Sequence, residues 1–318
     1  MSEKILVTGG AGFIGTHLVR SLLKEGNEIV VLDNLSTGKE ENIPDGDGVN
    51  FIRGDIRDID VVALALEGVT KVYHHAAELG VDRILRMTDH AMSDVDYYGT
   101  KMVLETCRNS DVKTLLFASS SEVYGEYSSE KLPMSEDDDF KMDTPYGEAK
   151  RNAEILCREF SDECGINTVC VRYFNVYGSH QTLNGYAIPN FIHAALRNIP
   201  IKIHGEGKQV RDFTYIDDAV KMTIEVCQNK FNKEIFNIGS GKYMNMIDLA
   251  NMIIPLCNSK STIEFIKPRR PTDLHNKYAD NSKIMRLTGL NTKMDMILGL
   301  KKTIDYYRSQ MKEVLIQV

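Results

Sequence analysis

The stretch Lys4-Ile5-Leu6-Val7-Thr8-Gly9-Gly10-Ala11-Gly12-Phe13-Ile14-Gly15 decides the fold. A short apolar run stops at a turn with glycines at 9, 12 and 15. From Gly12 to Glu25 the residues Phe13, Leu18, Leu22 and Leu23 then recur at helical spacing. Strand, glycine turn and helix in that order bring helix N–H groups to a place with no Cβ in the way, which suits a dinucleotide pyrophosphate. A glycine triplet alone is a weak signal, but the second apolar run, 28–32, closes on Asp33, 18 residues after Gly15. A carboxylate there can accept from an adenosine ribose 2′-hydroxyl. Its charge repels a 2′-phosphate and no arginine stands directly beside it, which favours NAD over NADP.

Working outward, the apolar patterns predict strands at 49–53, 71–75, 114–118 and 168–172, with helices at 61–66, 94–108 and 146 to about 164. Such alternation implies parallel strands joined by right-handed crossovers. Residues 128–144 are polar and acidic, between Pro133 and Pro145, and read as a surface loop. Beyond Asn175 the alternation loosens into helices at 189–198 and 216–228 and extended runs at 201–203 and 234–238. The expected fold is α/β, a Rossmann-type doubly wound parallel sheet with a smaller C-terminal α/β substrate-binding lobe. Residues 1–175 form the dinucleotide-binding domain, and 176–318 form mostly the substrate lobe, with some segments returning.

Composition narrows the function classes. The 318 residues are 42% apolar and 26% charged, as in an ordinary globule, and the net charge of -7 with scattered basic residues argues against a nucleic-acid partner. No signal core or membrane-length apolar segment is present, so a cytoplasmic location is expected. The cysteines at 107, 157, 164, 170, 227 and 257 form no C-x-x-C pair and read as buried reduced thiols.

Several further residues carry candidate chemistry. Asp55, with Ile56 beside it, follows the third strand and can accept from the adenine amino group. After the fourth strand, Ala76 and Ala77 let the backbone approach the cofactor, while His74 and His75 read as strand-end packing rather than metal ligands. Phe13, Ile14, Asn34, Ser119 and Tyr173 complete the expected cofactor set. Tyr146-Gly147-Glu148-Ala149-Lys150 sets a tyrosine and a lysine on one helical face. In a dehydrogenase the ammonium and a positive nicotinamide lower the phenol pKa, so that the phenolate can take an alcohol proton as hydride leaves carbon. Ser120 directly follows the fifth strand, where a doubly wound sheet places catalytic groups, and its hydroxyl can hold the reacting oxygen beside Tyr146.

Taken together, the glycine turn, the 120–125 loop, Tyr146 with Lys150, Arg172-Tyr173-Phe174-Asn175-Val176-Tyr177-Gly178, Arg211-Asp212-Phe213 and Arg270-Pro271-Thr272-Asp273 resemble the extended short-chain dehydrogenase/reductases of the nucleotide-sugar epimerase/dehydratase family, over essentially the whole chain. The resemblance implies a tightly held, recycled NAD, a nucleoside diphosphate sugar substrate and a homodimer. It assigns Ser120 as the catalytic hydroxyl, Tyr146 as the base and Lys150 as the residue that also holds the nicotinamide ribose. It places Asn175 on the diphosphate, Arg211 and Arg270 on nucleotide and phosphates, Asp273 by a ribose hydroxyl and Ser121 in the substrate site. One departure is Asp96-Tyr97-Tyr98-Gly99-Thr100, where the family often has asparagine first.

Family members share oxidation at sugar C4 and then diverge. The 4-ketone permits epimerisation, 4,6-dehydration, or decarboxylation of a C6 carboxylate. Glu122, two positions after Ser120, can serve as a C5 base, and its context resembles dehydratases and decarboxylases more than 4-epimerases. So does the run from Ala76 through Val81-Asp82-Arg83. No arginine between Gly178 and Leu196 is available for a glucuronate carboxylate, although Arg83 or Arg86 can be. Dehydration is therefore the leading expectation, with 4-epimerisation and decarboxylation as alternatives. A non-catalytic NAD-binding regulator is the remote one, since Ser120, Tyr146 and Lys150 are all present.

Overall fold

The structure, a computed structural model, describes residues 2–78, 88, 94–125, 131–138, 144–183, 185–227, 231–269, 273 and 275–316. Strands β1 (Lys4–Thr8), β2 (Glu28–Asp33), β3 (Val49–Arg53), β4 (Lys71–His74), β5 (Thr114–Ser120) and β6 (Asn167–Tyr173) lie in the central sheet. Short ladders follow in the second half: β7 (Val176–Tyr177), β8 (Ile201–His204), β9 (Val210–Arg211) and β10 (Thr214–Tyr215). After these come β11 (Glu234–Ile238), β12 (Met244–Asn245) and β13 (Ile263–Ile266). The central sheet runs β11-β6-β5-β4-β1-β2-β3, parallel throughout. Chain order reverses between β1 and β4, the switch point at which such sheets open a crevice.

Both faces of the sheet are covered, which is why its strands read as apolar runs rather than alternating ones. Ile5, Val7 and Val31 pack on one face with Leu18 and Leu22 of α1 (Phe13–Lys24), while Leu6, Val30, Leu115 and Phe117 pack on the other. The second face also takes Val62 of α2 (Ile59–Ala65), Val103 and Leu104 of α3 (Thr100–Cys107), and Ala153 and Cys157 of α4 (Pro145–Cys164). Local chemistry sets the ends of α4. Thr144 caps it by accepting from Gly147 N at 3.0 Å, Pro145 occupies the first turn, and Gly165 closes it at φ 70°.

The second half contributes to both parts of the molecule. β11 extends the central sheet beyond β6, and α6 (Ile216–Val226) packs on α1. The remaining segments build a smaller lobe from α5 (Ala187–Leu196), α7 (Met246–Leu256), the parallel pair β8–β13 and the antiparallel pair β9–β12. Helices α8 (Ser282–Thr288) and α9 (Met296–Ile316) complete the chain. Among the described residues no helix is long and apolar enough to cross a membrane, and all six cysteines are free thiols, five of them buried.

Two expectations need correction. The helix predicted over 94–108 begins as a π turn, Asp94–Gly99, before α3. The acidic segment predicted to be a surface loop is anchored in its described part. Met134 is fully buried, and the buried Glu136 accepts from Asn237 N at 2.7 Å, because β11 at the sheet edge leaves that N–H to be satisfied.

A buried ion pair ties α4 to the sheet. Arg172 of β6 donates from Nε and Nη2 to the two oxygens of Glu154 at 2.9 and 2.8 Å. Burial alone would raise the Glu154 pKa, but the bonds and charge of Arg172 outweigh it and hold the carboxyl below its ordinary value. Its stabilisation is therefore complete at neutral pH and is lost as pH falls through that depressed value. Replacing Glu154 with Ala should destabilise the fold by about 3–5 kcal/mol in urea titrations at neutral pH. A loss under about 1 kcal/mol would put the pair on a par with a surface contact.

Candidate active site

The C-terminal edge of the sheet opens into a cavity of about 690 Å³ that runs into the smaller lobe. Gly9, Gly12, Phe13, Ile14 and Gly15 line one end. Helix α1 starts at Gly12 with no side-chain cap, so its first-turn N–H groups remain available to an anion. Packing in the turn requires glycine. A Cβ on Gly15 would lie 2.2 Å from Gly9 O, and one on Gly9, at φ 71°, would lie 2.7 Å from Ala76 N. Ala76 N in turn donates to Thr8 Oγ1 at 3.1 Å, and Ala77 lines the cavity.

Asp33 ends β2 and receives N–H bonds from Ala11 at 3.0 Å and Leu35 at 2.8 Å, so it shapes the glycine turn. Burial raises its pKa, against the pull of those two bonds. Asn34 and Asp55 are adjacent, joined at 3.0 Å. Asp55 is also gripped by Arg57 at 2.9 and 2.8 Å, which holds it well below the usual carboxylate range. Both of its oxygens are thus already engaged, leaving Asp55 less free for an adenine amino group than expected. Ile56 is buried below, against the Cα of Gly99.

His74 and His75 behave as packing residues. His74 bridges Thr8 Oγ1 at 2.6 Å and Thr100 Oγ1 at 3.0 Å, and His75 Nε2 meets Tyr173 OH at 2.9 Å. Burial pushes both down to about 3, so both are neutral at pH 7. Among the described residues no group of histidine, cysteine and acidic side chains is placed to hold a metal.

Helix α4 presents Tyr146, Lys150 and Glu154 on successive turns of its buried face. Gly147 lets the turn at Ser121–Tyr124 sit on that helix, since a Cβ there would come within 2.5 Å of Glu122 O. Tyr146, Ser119, Ser120, Ser121 and Lys150 are brought together at the cavity wall. Lys150 Nζ donates to Ala118 O at 3.1 Å, and Ser119 Oγ donates to Glu154 at 2.6 Å. The ammonium also meets Asp96 Oδ1 at 3.1 Å, with both side chains almost fully buried. Among the protein's own groups, the Tyr146 phenol stands well above its ordinary pKa. Burial is the main cause, followed by the charge of Asp96, then Tyr186 and Glu122, while a hydrogen bond with Ser120 pulls the other way.

At the far end Asn175, Arg211 and Asp273 line the cavity, as expected of substrate residues. Asn175 Nδ2 donates to Asp212 O at 3.0 Å, and Arg211 Nη2 donates to Asp273 O at 2.9 Å. Arg270, Arg83 and Arg86 lie outside the described residues. Arg269, which the sequence passed over for its neighbour, lines the cavity and holds the Asp273 carboxylate at 3.2 Å. Also missed was Lys277, buried, whose Nζ is 3.1 Å from Glu122 Oε1. No local pattern marks it, because its partner is 155 residues away.

With the glycine turn, the open first turn of α1 and the Tyr-Lys helix face in place, comparisons with known proteins are informative. The model of the NAD dependent epimerase/dehydratase family matches residues 5–239, and the chain belongs to that family. It is 34% identical to the UDP-N-acetyl-alpha-D-glucosaminuronate decarboxylase of Bacillus cytotoxicus, over 97% of this chain and 98% of that protein. The UDP-glucose 4-epimerase of Thermotoga maritima, solved with UDP-glucose, superposes with a TM-score of 0.91 at 31% identity, covering 97% of this chain and 99% of that one. The UDP-glucuronic acid 4-epimerase of Bacillus cereus, solved with UDP-glucuronic acid and NAD, gives 0.87 at 32% identity, covering 96% and 99%. The protein is thus an enzyme of the nucleotide-sugar epimerase, decarboxylase and dehydratase class, with NAD as its cofactor. Gly15→Ala should weaken NAD binding at least about tenfold, or about 1.4 kcal/mol. This can be measured by calorimetry on protein whose circular dichroism is unchanged; unaltered affinity would place the dinucleotide away from this turn.

Proposed function

We propose that the protein is a C4 epimerase of a neutral UDP-hexose, with Ser120, Tyr146 and Lys150 as its catalytic residues. The Tyr146 phenolate takes the C4 hydroxyl proton, Ser120 holds that oxygen, and Lys150 orients the cofactor ribose and stabilises the phenolate. NAD, cradled by the glycine turn, supplies the acceptor and donor of the C4 hydrogen. After the 4-keto sugar presents its other face, Tyr146 returns the proton. Asn175, Arg211 and Asp273, with Arg270, are assigned to the nucleoside diphosphate; the fixed donors of an arginine suit its oxygens.

The observation that carries the choice among reactions is the Glu122–Lys277 pair. Elimination needs a base for the C5 proton and an acid for the departing C6 hydroxyl. A carboxylate held by a buried ammonium is a weakened base, and the residue beside it, Ser121, offers no acid. Dehydration, which the sequence favours, gives way on this ground. A uronate would add negative charge near Glu122 and Asp96, which face Lys277 and Lys150, with Glu78 close to Asp96. Epimerisation needs neither a second base nor a site for a carboxylate. Decarboxylation is the second reading, favoured by the Bacillus cytotoxicus relative aligned over nearly the whole chain.

The purified protein, loaded with NAD, is to be incubated with UDP-glucose, UDP-N-acetylglucosamine, their uronates and dTDP-glucose, and followed by mass and proton spectra. Unchanged mass with inverted C4 on a neutral UDP-sugar is expected. Loss of carbon dioxide would establish the second reading, and loss of water would restore dehydration. Tyr146→Phe should lower kcat at least about hundredfold with NAD still bound, whereas Glu122→Gln should stay within about tenfold of the parent. A hundredfold loss in the glutamine variant would make Glu122 the acid–base residue that epimerisation does not need.

A further inference from the structure

Asp96 is the residue at which the sequence departs from the family pattern, and its placement gives that departure a consequence. The π turn Asp94–Gly99 carries its side chain inward until Oδ1 is 3.1 Å from Lys150 Nζ, with 0% and 2% of the two side chains exposed. The turn is held there by Thr100 Oγ1, which donates to Asp96 O at 2.7 Å and meets His74 Nε2 at 3.0 Å. Among the described residues the other contacts of the ammonium are Ala118 O at 3.1 Å, the Phe117 ring at 5.0 Å and the Tyr146 ring at 5.8 Å. A polar amide in place of Asp96 could fill the same space, but only a carboxylate brings charge.

We infer that Asp96 is a positioning residue that serves as the buried counter-ion of Lys150 and sets how strongly the ammonium acts on the Tyr146 phenol. This rests on the reading of Tyr146 as the base. With Asp96 ionised, the nearest cation to the phenol is largely neutralised, and a negative charge stands close enough to oppose phenolate formation. Among the described residues, the remaining charged and titratable groups around the pair are Glu78 beyond β4, His74 at the end of β4 with His75 after it, and Glu122 and Tyr186 facing Tyr146. Both histidines are neutral at pH 7, and Glu78, Glu122 and Tyr186 are acids that carry no positive charge in either form. None of them substitutes for Lys150 as a source of positive potential. The raised Tyr146 pKa agrees in direction, with Asp96 second only to burial among its causes.

The sign of the test follows. Removing the carboxylate leaves the ammonium unopposed, so the phenol should ionise at lower pH. In the NAD-loaded protein, Asp96→Asn should move the Tyr146 phenolate midpoint, read as the ultraviolet difference from the matching Tyr146→Phe protein, down by roughly one unit. The acidic limb of the kcat/KM profile should move with it, giving about tenfold higher kcat/KM on the acid side of the plateau. Should the asparagine variant fail to fold, Asp96→Ser removes the charge with less bulk and should give the same shift. A folded variant whose midpoint and limb coincide with those of the parent would overturn the inference and leave Asp96 a packing residue. If Tyr146→Phe itself retained turnover, the reading of the base would fail, which is distinguishable because the Asp96 variants play no part in that result.

Discussion

The bond on which the site most depends is made away from the cavity, where Arg172 meets Glu154 inside the fold. Glu154 is one turn beyond Lys150 and two beyond Tyr146 on the same face of α4. Its carboxylate is fixed from two strands at once, by Arg172 of β6 and by the Ser119 hydroxyl of β5. A helix packed only by apolar contacts can rotate or slide by small amounts at little cost, but a forked guanidinium–carboxylate pair cannot follow such movement without losing bonds. The rotation of α4, and with it the direction in which Tyr146 and Lys150 point, is thereby set. Arg172 also lies 4.8 Å over the Tyr124 ring, and Tyr124 OH donates to Asn237 at 2.6 Å. The same charge thus ties the loop that carries Ser120 and Glu122 to the sheet edge.

The parts of this arrangement that were legible in the sequence are those written in local periodicity. The strand–glycine–helix unit, the Tyr146–Lys150 spacing and the alternation of strands with helices all follow from patterns within about twenty residues of one another. Ser120 and Tyr173 end neighbouring strands in register, a pairing that the alternation alone did not specify. What was not legible depends on contacts between distant segments. Lys277 reaches Glu122 from the far side of the chain, and nothing around it in sequence distinguishes it from a surface lysine. The acidic segment looked solvated because its composition is polar, yet Met134 and Glu136 are drawn in to satisfy Asn237 of an edge strand. At Asp96 the residue type was visible and its meaning was not. A helix-like pattern does not announce a π turn, and the extra residue in that turn is part of what places the carboxylate against Lys150.

The glycine turn shows a different kind of constraint. Gly9 and Gly15 are required by backbone meeting backbone, with no side chain that could move aside. Asp33 then fixes the loop by accepting from Ala11 and Leu35, so one carboxylate holds the end of β2 to the turn. This explains why the turn and the acidic residue at the end of β2 carry information together that neither carries alone.

The buried ammonium groups of Lys150 and Lys277 share one property. Lys150 faces Asp96 and Lys277 faces Glu122, each at 3.1 Å, so neither acts as a free positive charge. A site neutralised in pairs has little to attract a charged sugar and little to ionise a phenol buried among carboxylates. Left to its own groups, the protein holds Tyr146 protonated, as its raised pKa indicates. An oxidised nicotinamide bound beside the phenol would add positive charge to that of Lys150 in favour of the phenolate. On the proposed reading of Tyr146 as the base, the oxidised cofactor would favour the phenolate and the reduced one would leave the proton on Tyr146.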